Sequence, residues 1–203
     1  MQKLLNEWRA YLSEAKKYTK ADVERVIAHY KKEKVKVGVI KPFYFGEFLD
    51  KMAQAESRYN PYARSKSGTF IGAFQLGPDH YQGDKDLAYN PARAAAYLYD
   101  FFSKKMSGLY DANEHLETAV KQFGEPTLYY LAHNQGKSGA VRIFYTAIGK
   151  ETELTKKELD KHTLNRMKGQ KISLIKPFLE SPILPNQQKA IAFINFFKEK
   201  YEF

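Results

Sequence analysis

Glu56 stands where an apolar helix face should continue. Counting back from it, Phe45, Phe48, Leu49, Met52 and Ala53 fall at helical spacing on one stripe, and Glu56 is the next position on that stripe. A carboxylate at the end of a buried face caps something, pairs with something, or does chemistry. Desolvation favours a protonated acid, the form that a proton donor must hold near neutral pH. The segment that follows, "SRYNPYARSKSGTFIGAFQL", is a loop rich in Ser, Gly and Asn, where backbone and hydroxyl groups can approach a ligand closely. A second polar run, His133-Asn134-Gln135, closes the apolar stretch "PTLYYLA".

The elements that position these groups read as mainly helical. "KLLNEWRAYLSEAKK" and "KADVERVIAHYKKEK" predict helices, and "KVKVGVIKP" breaks the pattern. "FYFGEFLDKMAQAE" predicts the helix that ends at Glu56, with a short hairpin around "GTFIGAFQL". Asn90 as N-cap and Pro91 at the first helical position start "NPARAAAYLYDFFSKKM", whose "YLYDFF" stripe reads as core. "NEHLETAVKQF" and "PTLYYLAHNQ" follow as helices, Gly136 ends the second, and "SGAVRIFYTAIG" resumes helix. Thr155 and Glu158 have capping-box spacing ahead of a helix that Gly169 ends, and "NQQKAIAFINFFKEKYEF" makes a C-terminal amphipathic helix. Residues 1–41 read as an N-terminal helical appendage, or as part of one domain with residues 42–203.

Two ordered motifs carry a family resemblance. Glu56, Ser57, Asn60, Pro61, Ala63, Ser65 and Gly68, then Gly72, Gln75 and Leu76, resemble the first signature of the lytic transglycosylases related to goose-type lysozyme. One residue is inserted between Gly68 and Gly72, and Ala73-Phe74 replaces the usual Leu-Met. "YYLAHNQGKSGA" resembles the later Ala-Tyr-Asn motif, with His133 at the tyrosine position, a variant found among phage-type enzymes. The resemblance spans about residues 42–150. It implies a mainly α, lysozyme-like helical domain with at most a small β-hairpin, and cleavage of the bond between N-acetylmuramic acid and N-acetylglucosamine in peptidoglycan.

On that reading Glu56 is general acid and then base, and the substrate's own N-acetyl group replaces the second carboxylate that most glycosidases need. Gln75, Asn134 and Gln135 offer paired donors and acceptors for N-acetyl and hydroxyl groups, with Ser65 and His133 as positioning groups. Phe74 and Tyr62 are the aromatic candidates for sugar faces. His133 taken alone reads as a satisfied, partly buried histidine, and Glu56 taken alone as a surface residue at a helix end. Asp79, Asp84 and Asp86 in "GPDHYQGDKDL" are the candidate second acids of a hydrolytic lysozyme, the first alternative. The other alternative is a catalytically silent structural module of a phage tail or secretion apparatus.

Composition narrows the classes. The 203 residues contain no Cys, which excludes thiol catalysis and zinc–thiolate sites. The remaining histidines lack metal-ligand spacing, and the aspartates of "GPDHYQGDKDL" miss the glycine and distal glutamate of a calcium loop. No metal and no cofactor are expected. Lys and Arg number 33 against 23 Asp and Glu, a formal charge of +10, which suits an anionic polymer. The lysines are scattered, so charge alone does not choose among nucleic acid, a membrane surface and an acidic polymer; the resemblance implies peptidoglycan strands as the partner and no nucleic acid, with phage virion or secretion-apparatus proteins as further candidates. No apolar run reaches the roughly 18 residues of a membrane span. The N-terminus is amphipathic and unlike a secretory signal. The expected place of action is the bacterial cell wall, in the periplasm, reached as a phage virion or lysis component or as a domain of an exported protein.

Overall fold

The computed structural model describes residues 18–150, apart from 107, 112 and 114, and residues 186–201. The helices expected in "KLLNEWRAYLSEAKK" and after Thr155 lie outside the described residues. Within them the protein is mainly helical, with one small antiparallel sheet of two strands. No helix among the described residues is long and apolar enough to cross a membrane.

Helix α1 (Lys20–Lys32) starts at a capping box, in which Thr19 Oγ1 accepts from the Asp22 N–H while Asp22 accepts from the Thr19 N–H. Its Val23 and Ile27 enter the same core as the later helices. Strand β1 (Lys36–Val37) then pairs with β2 (Phe43–Tyr44), Lys36 opposite Tyr44 and Val37 opposite Phe43. Strand β1 thus falls in the segment read as a break, whereas β2 takes the first two residues of the segment read as helix, which begins only at Phe45. The hairpin expected around "GTFIGAFQL" is reduced to single bridges, Arg64 with Ile71 and Ile71 with Leu76. Left-handed backbone at Gly68, Gly72 and Gln75 turns the chain too often for a ladder to extend.

Helix α2 (Phe45–Ser57) buries the predicted stripe: Phe45, Phe48, Leu49, Met52 and Ala53 are all inside. It packs against α1 and against an aromatic cluster in which Phe48 meets Phe102 edge-on at 5.2 Å and Phe102 stacks on Tyr129 at 5.4 Å. "GPDHYQGDKDL" folds into two short helices, α3 (Pro78–Tyr81) and α4 (Lys85–Tyr89), with Asp84 capping the second. Asn90 caps α5 (Pro91–Asp100) by accepting from the Ala92 and Arg93 N–H groups. A π-helical turn, Phe101–Lys105, and α6 (Gly108–Asp111) lead to α7 (Leu116–Phe123).

Helix α8 (Glu125–Ala147) is the centre of the molecule. Residues Leu128 to His133 are buried without interruption, because α7 and α9 (Asn186–Tyr201) flank the helix. Gly136 takes non-helical φ 75° and ψ 160°, so the helix stops and restarts there, as expected, across a kink.

The first residue of α8 closes the fold over a long sequence distance. Glu125 is fully buried, and its carboxylate accepts from the N–H groups of Val39, Ile40 and Lys41 at 2.7, 3.0 and 2.7 Å and from the Tyr110 hydroxyl at 2.5 Å. The β1–β2 connection is thereby fastened to the start of the helix that carries the second motif. Burial, with the bond to Glu125, pushes the Tyr110 hydroxyl pKa far above its ordinary value and keeps it a donor.

Candidate active site

Helix α2 delivers Glu56 half-buried at the rim of the core. The helix stops just beyond it through two successive left-handed residues, Arg58 (φ 54°) and Tyr59 (φ 64°). Neither is glycine, and each such residue costs on the order of 1 kcal/mol. The surroundings offset that strain: the Tyr59 N–H donates to Ala53 O at 3.0 Å and its hydroxyl to Asp50 at 2.8 Å. Burial and this bond push the Tyr59 hydroxyl pKa up to about 12.

The Ser and Gly loop returns the chain to Glu56. Ser65 Oγ accepts from the Phe70 N–H at 3.1 Å, and the Ser65 N–H donates to Phe70 O at 2.9 Å, so the loop is closed on itself. Gly72 has φ 85°, and a Cβ placed there would lie 2.0 Å from the Ala88 carbonyl oxygen of α4. The following turn holds Gln75 in left-handed backbone, its side-chain amide donating to Gly72 O at 2.9 Å.

Helix α8 supplies the opposite wall. Tyr130, His133 and Asn134 sit at i, i+3 and i+4 of one face. The Tyr130 hydroxyl donates to Glu56 Oε1 and accepts from Asn134 Nδ2 at 3.3 Å. Gln135 Nε2 donates to Asn134 Oδ1 at 3.0 Å, extending the chain of polar groups. Because a carbonyl only accepts, the 3.1 Å contact between His133 Nε2 and Phe74 O places the proton on that nitrogen. The His133 ring stacks on His80, centroids 5.1 Å apart. His80 in turn faces Tyr97, whose hydroxyl lies 3.0 Å from Nδ1. Burial lowers the His80 pKa below its ordinary value, so the ring is neutral at neutral pH.

Glu56, Ser65, Gln75, His133 and Asn134 line one niche of about 110 Å³, together with Phe70. Gln135 lines instead an adjoining cavity of about 790 Å³, which shares Phe70, His133 and Asn134 with the niche. A small-molecule site ordinarily occupies about 300–1,000 Å³. The niche is therefore where a reacting bond fits, and the cavity is where most of a ligand's body fits.

Phe74 is a correction. It is fully buried in the core, so it presents no face to a sugar; only its carbonyl serves the site, through His133. Tyr62 is 43% exposed but lies outside the niche, its ring against Tyr89 at 5.5 Å. The aromatic side chain that lines both concavities is Phe70, which the sequence reading passed over, as it did Tyr130 and His80. Tyr130 had a legible signal in its spacing from His133 and Asn134; Phe70 and His80 had none. Among the candidate second acids, Asp84 and Asp86 are both held by Arg93 at 2.7 Å, whereas Asp79 lines the larger cavity. The Arg93 guanidinium holds the Asp84 carboxyl below the usual carboxylate range. Among the described residues no three or more His, Asp or Glu side chains cluster as a metal site. No protein-family model, curated protein or solved structure matches the chain.

Proposed function

We propose that this chain is a lysozyme-like lytic transglycosylase that cleaves the muramyl–glucosaminyl bond of peptidoglycan with Glu56 alone as acid and base. The observation that supports it is the convergence of Glu56, Ser65, Gln75, His133 and Asn134 on one niche, with Tyr130 bonded to the Glu56 carboxyl group. Glu56 protonates the glycosidic oxygen as the bond to the muramyl C1 breaks, and the N-acetyl carbonyl of the same sugar stabilises the electron-poor carbon. The Glu56 carboxylate then takes the proton of the muramyl 6-hydroxyl, whose oxygen bonds to C1. The products are a 1,6-anhydromuramyl end and a free glucosaminyl 4-hydroxyl, with no water consumed.

An intramolecular hydroxyl outcompetes water through an effective concentration that reaches about 10⁵ M or more in the best cases. Tyr130 fixes the carboxyl group, which limits the geometries that Glu56 must sample. The hydrolytic alternative is favoured by Asp79, the acid of "GPDHYQGDKDL" that lines the larger cavity.

Replacement of the acid tests the reading. Glu56→Gln is expected to keep the fold and to lower peptidoglycan digestion by at least the ~10²-fold typical of general acid catalysis. A folded variant with undiminished digestion removes Glu56 from the mechanism, and a wild-type chain that digests no wall turns the reading toward a silent module.

A further inference from the structure

The β1–β2 hairpin lies outside the niche and its cavity and carries a surface that neither of them explains. Its inner face belongs to the core: Val37 is buried, and Phe43 packs against Phe48 and Tyr129 at 5.3 and 5.5 Å. Its outer face sets Lys36 opposite Tyr44, the ammonium group 5.1 Å from the ring centroid. Val39 at the tip is 47% exposed and Tyr44 40%; with Tyr62 they are the exposed large hydrophobic side chains among the described residues. Residues 31–47 hold five Lys against two Glu. Lys32, Lys34, Lys36 and Lys41 are exposed, and none of these four joins an ion pair among the described residues.

The backbone of the tip is satisfied from inside. The Val39, Ile40 and Lys41 N–H groups all donate to the buried Glu125 carboxylate. Gly38, with φ 106°, passes so close that a Cβ there would stand 3.0 Å from Glu125 Oε2. The tip thus shows the outside an apolar side chain flanked by ammonium groups, and three of its N–H groups need no water. Unpaired backbone groups are what exclude ordinary loops from a low-dielectric layer. A nucleic acid or an acidic glycan would take the lysines but offers little to Val39. An anionic bilayer takes both, phosphates for the ammonium groups and the acyl boundary for the valine, with tyrosine at headgroup level.

We propose that this hairpin seats the chain on an anionic lipid surface, Val39 entering the headgroup layer and Lys34, Lys36 and Lys41 pairing lipid phosphates. One valine has too little apolar area to hold a bilayer alone, so the lysines supply most of the affinity and Val39 fixes the orientation. Salt therefore weakens the contact. It is independent of the chemistry at Glu56.

Sedimentation of the full chain with vesicles tests the contact. The chain is expected to pellet with vesicles of phosphatidylglycerol and phosphatidylcholine in equal parts, and to stay in solution with phosphatidylcholine alone. Lys34→Ala with Lys36→Ala is expected to weaken pelleting about tenfold or more, and Lys85→Ala with Lys150→Ala, outside the hairpin, much less. Val39→Trp is expected to gain, beyond any change in the wild-type chain, blue-shifted emission on the anionic vesicles and quenching by brominated acyl chains. Absence of pelleting, an equal loss in the two lysine pairs, or a Val39→Trp signal that stays that of water overturns the proposal. Retention of duplex DNA or polyglutamate through Lys34 and Lys36 without retention of vesicles also overturns it, and assigns those lysines to another polyanion.

Discussion

The Tyr130 hydroxyl donates to Glu56 Oε1 while it accepts from the Asn134 amide at 3.3 Å. One hydroxyl thus joins the end of α2 to the middle of α8, the two elements that carry the two sequence motifs. Tyr130 is itself fully buried and rests against Phe197 of α9, ring centroids 5.5 Å apart, so the C-terminal helix backs the joint.

Tyr130→Phe removes the donor and keeps the packing. We expect stability to fall by about 1 kcal/mol, the net worth of a typical hydrogen bond, and wall digestion to fall about tenfold or more because Glu56 loses its fixed orientation. Denaturant unfolding and turbidity loss of purified walls measure the two. Unchanged digestion would show that Glu56 needs no such orientation.

Glycines 68 and 72 separate a strained loop from a jammed one. Both have positive φ, but a Cβ on Gly68 meets nothing within 4 Å, whereas one on Gly72 collides with the Ala88 carbonyl. Gly68→Ala is expected to cost about 1 kcal/mol, and Gly72→Ala about 3 kcal/mol or more, since backbone must move. Equal melting temperatures for the two variants would show that α4 does not pack against the Gly72 turn in solution.

Glu125 offers a stability test far from the niche. Glu125→Ala strands the Val39, Ile40 and Lys41 N–H groups and the Tyr110 hydroxyl, and is expected to cost about 3–5 kcal/mol. Tyr110→Phe removes one donor and is expected to cost about 1–3 kcal/mol, with a double-mutant cycle showing strong coupling between the two. Independent, additive effects in urea unfolding would contradict the clasp.

His80 gives the fold a pH dependence of known sign. Its folded pKa lies below the ordinary 6.5, so its contribution is fully present above pH 6.5 and is lost as the pH falls toward the folded pKa. Asp79 opposes this depression and Lys105 adds to it. The melting temperature should therefore drop between pH 7.5 and 5 more steeply in the wild type than in His80→Gln. Parallel profiles would mean that His80 titrates alike in the folded and unfolded chain.

Where the determinants are local, the sequence was readable. The Phe45 to Ala53 stripe, the Asn90 cap and the Gly136 break follow from periodicity, side-chain capping and positive φ within a few residues. Phe74 and Phe70 lie four positions apart on either side of the Gly72 turn, and only the left-handed backbone there decides which one points inward. Glu125 had no local mark, because the three N–H groups it accepts from lie more than 80 residues earlier in the chain. Tyr130 was hidden in an apolar run, although its spacing from His133 and Asn134 placed it on the same helical face.

The central claim is that one glutamate cleaves the glycan with an internal hydroxyl in place of water. Digestion of peptidoglycan in heavy-oxygen water followed by mass analysis of the fragments tests it most directly. The account predicts unlabelled anhydromuramyl ends, about 18 Da lighter than reducing ends through loss of one water. Reducing ends carrying the heavy oxygen would contradict it, and would make Asp79 the acid to replace next.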